Sequence, residues 1–285
     1  MAGEPSNFTV AMSMKSSSKI RMIALDLDGT LLTDERRPHP RVKDAIRVAL
    51  QAGLHVVLAS GRSPKTLRPI QQELELEGPV VACNGSYVLS QEGECLFDRR
   101  VSDRVRETVS AYARQEQVQF FLYLQDQVLV FEELEWLAEY VRRVKIDEFR
   151  HEPWDRLGEF QPTKVLLMDQ PDRIQAHRSF LEPELGPEEC EVTVSEPVYL
   201  EFLPAGVTKA AGLQALADHC GLASDEVAAI GDYHNDLEML RWCGYSGAVD
   251  NAHPEILSAV NRVFPSNNHG GVADFIFSIV YNQET

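Results

Sequence analysis

Cysteine is sparse in this chain. Five residues, Cys83, Cys95, Cys190, Cys220 and Cys243, are spread over 285 positions, odd in number and without a Cys-x-x-Cys pair. That usage argues against a disulfide framework or a thiolate zinc site and reads as reduced thiols of a cytoplasmic protein. Basic charge is also short, since 27 Lys and Arg face 44 Asp and Glu and leave a formal net charge of −17. Such a balance repels nucleic acid and anionic membrane surfaces, and no basic run offsets it, so neither is expected as a partner. Long apolar runs are missing from the start of the chain, where Phe8 to Met14 is too short to span a bilayer. No basic residue precedes Lys15, which speaks against a secretory leader, and residues 1–18 are expected to form a disordered tail. Repeats and low-complexity segments are absent too. What remains, 44% hydrophobic, is enough for one large core or two moderate ones.

The most informative stretch is Met22-Ile23-Ala24-Leu25-Asp26-Leu27-Asp28-Gly29-Thr30. A continuous apolar run suits a strand buried on both faces, and it ends in two carboxylates. While the chain stays extended, residues two apart share a side, so Asp26 and Asp28 face one pocket and Leu27 turns away. Like charges this close call for a cation, a shared proton or both. Read blandly, Asp-x-Asp-Gly is a strand-ending turn. A calcium loop fails on spacing, because the glycine comes too early and no glutamate closes the loop.

A rhythm of strand and crossover helix follows. Pro40 to Gly53 carries helical spacing, Leu54 to Ala59 is a second apolar run ending in Ser60-Gly61-Arg62, and Val80 to Ala82 is a third ending in Cys83-Asn84-Gly85. Alternating strands and helices mean a parallel sheet, whose strand ends lie along one edge, so Ser60 can approach the Asp pair. From Ser86 to Leu200 the pattern changes to hairpins, turning at Glu92-Gly93 and near Gln125-Asp126, with a helix over Glu132 to Val144. This reads as an inserted α/β unit whose aromatic and aliphatic stripes form its own core. The crossover pattern then returns, with Lys209 in the first turn of a helix and Val227 to Ile230 ending in Gly231-Asp232-Tyr233-His234-Asn235-Asp236. A lysine at that end opposes the helix dipole unless it helps to bind an anion.

Asp26-Leu27-Asp28-Gly29-Thr30, Ser60-Gly61-Arg62, Lys209 and Gly231-Asp232-x-x-Asn235-Asp236 resemble, in order, the four motifs of the haloacid dehalogenase superfamily of phosphohydrolases. The long insertion between the second and third motifs resembles the α/β cap of its Cof-type subgroup, as do Asn84-Gly85, the Gly247 to Pro254 stretch and Gly270-Gly271. The likeness runs from about Lys19 to Phe277. It implies a doubly wound, Rossmann-like core over residues 19–85 and 201–285, with a substrate-selecting cap over 86–200. It also implies that Asp26 is a nucleophile giving an aspartyl-phosphate, and Asp28 a general acid and base with a raised pKa. Magnesium would be held by Asp26, the Asp28 backbone carbonyl and Asp232, with Asp236 behind them. Ser60, Gly61, Lys209 and Asn235 would hold the phosphoryl group, with Arg62 and Asn84 as further anion contacts. The expected reaction is hydrolysis of a small phosphomonoester, such as a sugar or cofactor-like phosphate. Transfer of the phosphoryl group to a second hydroxyl, or binding without turnover, remains open at this point. His234, beside an oxygen-ligated site, is expected at the substrate edge rather than on the metal, and Cys83 is expected to be an inert buried thiol.

Overall fold

A computed structural model describes residues 20–125, 127–144 and 149–282. The expected tail at 1–18 lies outside the described residues, as does Asp126 of the second hairpin turn. In chain order the elements are β1 (Met22–Leu25), α1 (Pro40–Gln51), β2 (His55–Ala59), α2 (Pro64–Leu74), β3 (Val80–Ala82), β4 (Tyr87–Leu89) and β5 (Cys95–Asp98). Then come α3 (Asp103–Glu116), β6 (Gln119–Leu124), β7 (Gln127–Val130), α4 (Trp136–Val144), β8 (Arg150–His151), β9 (Lys164–Met168), α5 (Pro171–Leu185), β10 (Cys190–Glu196) and β11 (Tyr199–Pro204). The chain closes with α6 (Lys209–His219), β12 (Val227–Gly231), α7 (Leu237–Trp242), β13 (Tyr245–Val249), α8 (Pro254–Ala259), β14 (Arg262–Phe264) and α9 (Gly271–Asn282).

The larger sheet runs β14-β13-β12-β1-β2-β3-β4-β5, parallel from β14 to β3. Strand order reverses at β1, so right-handed crossovers cover both faces. The expected doubly wound α/β core is thus present. β1 is buried throughout, between β2 and β12, and its apolar residues are the centre of the larger core cluster. Because β1, β2 and β12 are parallel and in step, Asp26, Ser60 and Asp232 emerge side by side where they end. The turn after β1 tolerates only glycine at position 29, where φ is +82° and a Cβ would come within 2.3 Å of an Asp232 carboxylate oxygen.

The second sheet, β10-β11-β9-β6-β7-β8, is antiparallel except for the β7–β8 pair. Its strands alternate strictly. Phe120, Leu122, Val165, Leu167, Leu200 and Phe202 turn to a core closed by α3 and α5. Phe121, Tyr123, Leu166, Met168 and Tyr199 turn the other way, where Tyr140 of α4 joins them. This is the inserted cap, but its sheet does not begin where the sequence suggests. The first hairpin, β4–β5, expected inside the insertion, pairs instead with β3 and extends the larger sheet. At the other end the insertion, expected to close at Leu200, continues on β11 through Pro204 in the cap sheet. Hairpin periodicity alone does not say which sheet edge a hairpin joins. The helix expected from Glu132 begins only at Trp136.

Cys83, fully buried, packs beneath the cap sheet, and burial pushes its thiol up to about 11. Cys95 is exposed. A thiol reagent added to native protein is therefore expected to label Cys95 first and Cys83 only on unfolding. Peptide mapping that found Cys83 among the first labelled sites would contradict its burial.

Candidate active site

Three carboxylates and one ammonium form the floor of the site. Lys209 Nζ donates to Asp26 Oδ1 and to Asp236 Oδ1, each at 2.6 Å, and is almost wholly buried. Its unfavourable place in the first turn of α6 is explained by these anions. The other Asp236 oxygen accepts the backbone N–H groups of Asp232 (3.0 Å) and Tyr233 (3.2 Å), so both its oxygens are engaged within the protein. Asp232 accepts from the Thr30 hydroxyl at 2.9 Å. Asp26, Asp232 and Asp236 each offer an oxygen within 4.8 Å of the others. With a single ammonium among them, two negative charges stay uncompensated. Burial and then Asp236 raise Asp26 to about 6 despite Lys209, and burial and then Asp26 push Asp232 well above the carboxylate range. Asp26 Oδ2 is buried with no hydrogen-bond partner among the described residues. An orphaned oxygen, an all-oxygen donor set and surplus negative charge fit a hard divalent cation such as magnesium.

Asp28 differs from its expected state. Arg62 grips it with two parallel bonds, Nε to Oδ2 at 2.7 Å and Nη2 to Oδ1 at 2.6 Å, and Arg36 adds a third at 2.7 Å. Burial alone raises its carboxyl, but the two guanidiniums outweigh burial and hold it at about 2. The expected elevation counted only the like charge of Asp26 and missed two cations in direct contact. Arg62 is corrected with it. Expected to offer a further anion contact, it spends its planar fork on Asp28.

Ser60, Gly61, Arg62 and Asn235 line the same small cavity as Asp26 and Asp28, about 40 Å³ in volume. Asn84 and Lys209 instead border an adjoining cleft that Asn235 shares. Asn84, in a left-handed turn at φ 52°, donates to Glu201 at 2.5 Å and accepts from Asn235 at 3.1 Å. It reaches the site through those neighbours. His234 lies in a separate group, its ring 4.2 Å from that of His253 and its Nδ1 3.3 Å from Glu255.

Several lining residues were not singled out from the sequence. Lys164 and Glu201, both nearly wholly buried, pair at 3.0 Å, and Lys164 also donates to the Gly61 carbonyl at 2.5 Å. Arg36 reaches from the core to Glu196 of the cap at 3.0 and 3.1 Å, where Arg143 also donates. Tyr123, Tyr140 and Tyr199, expected as cap core, belong to that core and line the cavity as well. A signal was present. A lysine opening the run Lys-Val-Leu-Leu-Met and a glutamate inside Tyr-Leu-Glu-Phe-Leu are charges in strands otherwise apolar, and such charges need buried partners.

Residues 23–276 match the family model of the haloacid dehalogenase-like hydrolases. The chain belongs to that family. Among curated relatives, it is 30% identical over 245 residues to the HMP-PP phosphatase of Cronobacter sakazakii, covering 84% of this chain and 87% of that protein. It is 28% identical to the 5-amino-6-(5-phospho-D-ribitylamino)uracil phosphatase YitU of Bacillus subtilis, covering 91% and 97%. A haloacid dehalogenase-like hydrolase from Bacteroides thetaiotaomicron superposes with a TM-score of 0.80 at 27% identity, covering 92% of this chain and all of that one. As a haloacid dehalogenase-like hydrolase of the Cof type, the chain pairs a doubly wound core with an inserted cap. Among the described residues no helix is long and apolar enough to cross a membrane.

Proposed function

We propose that this hydrolase is a magnesium-dependent phosphatase of small phosphomonoesters, working through an aspartyl-phosphate on Asp26. The observation that carries the reading is the buried, unpartnered Asp26 Oδ2 beside Asp232 and the Lys209 ammonium. Asp26, the Asp28 backbone carbonyl and Asp232 would hold the metal, with Asp236 fixing Lys209 and the turn at Asp232. Once bound, magnesium supplies charge neutralisation for the phosphoryl oxygens and the aspartates.

The Asp26 carboxylate attacks phosphorus, and the bond from phosphorus to the leaving oxygen breaks. Asp28 gives that oxygen a proton and then takes one from the water that cleaves the aspartyl-phosphate. Ser60, the Gly61 backbone, Lys209 and Asn235 hold the phosphoryl oxygens, where charge spreads in the transition state. To carry a proton, Asp28 must lose a guanidinium. Arg36, tied to the cap through Glu196, is the one that cap movement would draw away.

The relatives named as phosphatases of HMP-PP and of a phosphoribitylamino-uracil support a small phosphorylated metabolite as substrate, and the acidic composition favours a monophosphate of modest charge. The test is inorganic phosphate release across a panel of sugar, cofactor-like and acid phosphomonoesters with magnesium. Selective release is expected. Treatment with a chelator should lower it about a hundredfold or more, with recovery on adding magnesium back. Release that ignores the chelator would remove the metal from this mechanism. No release from any ester would remove the phosphatase.

A further inference from the structure

The cap wall over the catalytic cavity is built unlike an ordinary core. Strand alternation in β9 and β11 presents Lys164, Leu166, Tyr199 and Glu201 to the cavity while their neighbours Val165, Leu167, Leu200 and Phe202 close the cap's own core. Two properties of this wall point to what it meets.

The first is charge. Arg36 and Arg62 each lie within 2.7 Å of Asp28, and Lys164 is 3.0 Å from Glu201. Arg143 is paired with Glu196 and, at 2.7 Å, with Glu139. Each of these four cations already has a carboxylate, and Arg36, on leaving Asp28, keeps Glu196 at 3.0 Å. A second anionic group on the substrate would have to break one of these pairs and leave a charge buried without its partner, which is far costlier than never forming the pair. A neutral leaving group demands no such exchange.

The second is an unmet hydroxyl. Tyr199 is more than nine-tenths buried, lines the cavity, and its Oη has no hydrogen-bond partner among the described residues. Buried polar groups are almost always bonded, so an orphan on a cavity wall marks a place for a ligand atom. The other two tyrosines of the wall, Tyr123 and Tyr140, satisfy their hydroxyls on each other. Lys164 covers the Tyr123 ring at 4.2 Å, and the Tyr140 ring is stacked on Phe121 at 4.2 Å. Tyr199 is thus the tyrosine of this wall with an idle polar group. The Arg143 guanidinium lies over the Tyr199 ring at 5.9 Å, which leaves the hydroxyl as the idle group of this side chain.

Resting on the reading of the site given above, we infer that Tyr199 is a specificity-determining residue. Its hydroxyl bonds an acceptor on the leaving group, and that leaving group is a neutral alcohol, not a second phosphate or a carboxylic acid. Lys164 and Glu201, locked on each other and on Gly61, Asn84 and Ser195, shape the wall without offering it net charge.

The test is binding, which needs no turnover and so separates this inference from the phosphatase reading. Full-length Asp26→Asn protein, with magnesium, is titrated calorimetrically with three esters sharing one phosphate linkage. Benzyl phosphate has a ring without an acceptor, pyridoxine 5′-phosphate a ring of zero net charge with acceptors, and 4-carboxybenzyl phosphate a ring with an added negative charge. Pyridoxine 5′-phosphate is expected to bind tightest and the carboxylate weakest, by about tenfold between them. Adding Tyr199→Phe should weaken pyridoxine 5′-phosphate about fivefold or more relative to benzyl phosphate, the loss of one hydrogen bond. An equal change for all three esters would make Tyr199 a structural residue and overturn the inference. Tightest binding of the carboxylate would overturn the neutral leaving group. Since Tyr199→Phe keeps the ring, the thermal midpoint is expected to stay near that of the parent, and a large fall would likewise assign the hydroxyl to folding.

Discussion

Asp26→Asn is expected to lower phosphate release by about four orders of magnitude or more while making the metal-free protein more stable. The loss of rate follows from the proposed chemistry, because an amide neither attacks phosphorus nor supplies a carboxylate to the cation, and removing a covalent nucleophile costs on this scale. The gain in stability follows from the electrostatics. Burial and Asp236 raise the Asp26 carboxyl from 3.8 to about 6 in the folded chain. For an acid raised in this way the ionised form opposes folding. The penalty is absent below the unfolded pKa, grows as pH rises from about 4 to 6, and is complete above it. Asparagine, of nearly the same shape, removes the charge and with it a penalty on the order of a few kcal/mol at neutral pH. Chemical denaturation of both proteins in chelator, at pH 4 and pH 7.5, checks the sign, with the mutant's advantage expected at the higher pH only. A mutant that hydrolysed as fast as wild type would end the assignment of Asp26.

Lys209→Met is expected to damage both properties together. The ammonium is the cation that Asp26 and Asp236 share, and burial leaves no water to replace it. Removing one member of a buried ion pair strands the others, at a cost of about 3–5 kcal/mol. Denaturation in chelator should show that loss, and saturating magnesium should recover part of it, since a bound cation answers the same surplus of negative charge. Phosphate release is expected to fall about a hundredfold or more, because the proposed mechanism would lose a fixed cation at the phosphoryl oxygens. Unfolding of the methionine variant at the wild-type denaturant concentration would show that Lys209 does not hold the aspartates together. The two substitutions thus move stability in opposite directions, although their side chains touch.

The core was legible because parallel strands buried on both faces announce themselves as short apolar runs, and here each run ends in polar residues. Met22–Leu25, His55–Ala59 and Val227–Gly231 could be placed from pattern alone, and with them Asp26, Ser60 and Asp232 at one sheet edge. The state of Asp28 was not legible. Its nearest cations, Arg36 and Arg62, stand 8 and 34 positions away, and whether a guanidinium bends towards a carboxylate or a substrate is decided by packing rather than by spacing. The sheet to which β4 and β5 belong was hidden for a related reason, since an edge strand takes its partner from the third dimension. Tyr123 and Tyr199 of the strands and Tyr140 of α4 are core residues by pattern and in fact, so the cavity they also line left no mark in the sequence.

That alternation also limits how such a site can change over generations. In β9 and β11 a single inserted or deleted residue would turn Val165 and Leu200 to the cavity and drive Lys164 and Glu201 into the hydrocarbon side of the sheet. Innovation in these strands is therefore confined to exchanges at every second position, each made without shifting its neighbours. The wall is a set of interchangeable letters on a line whose spacing is fixed, and descendants of this sequence can rewrite what it selects without rewriting how it folds.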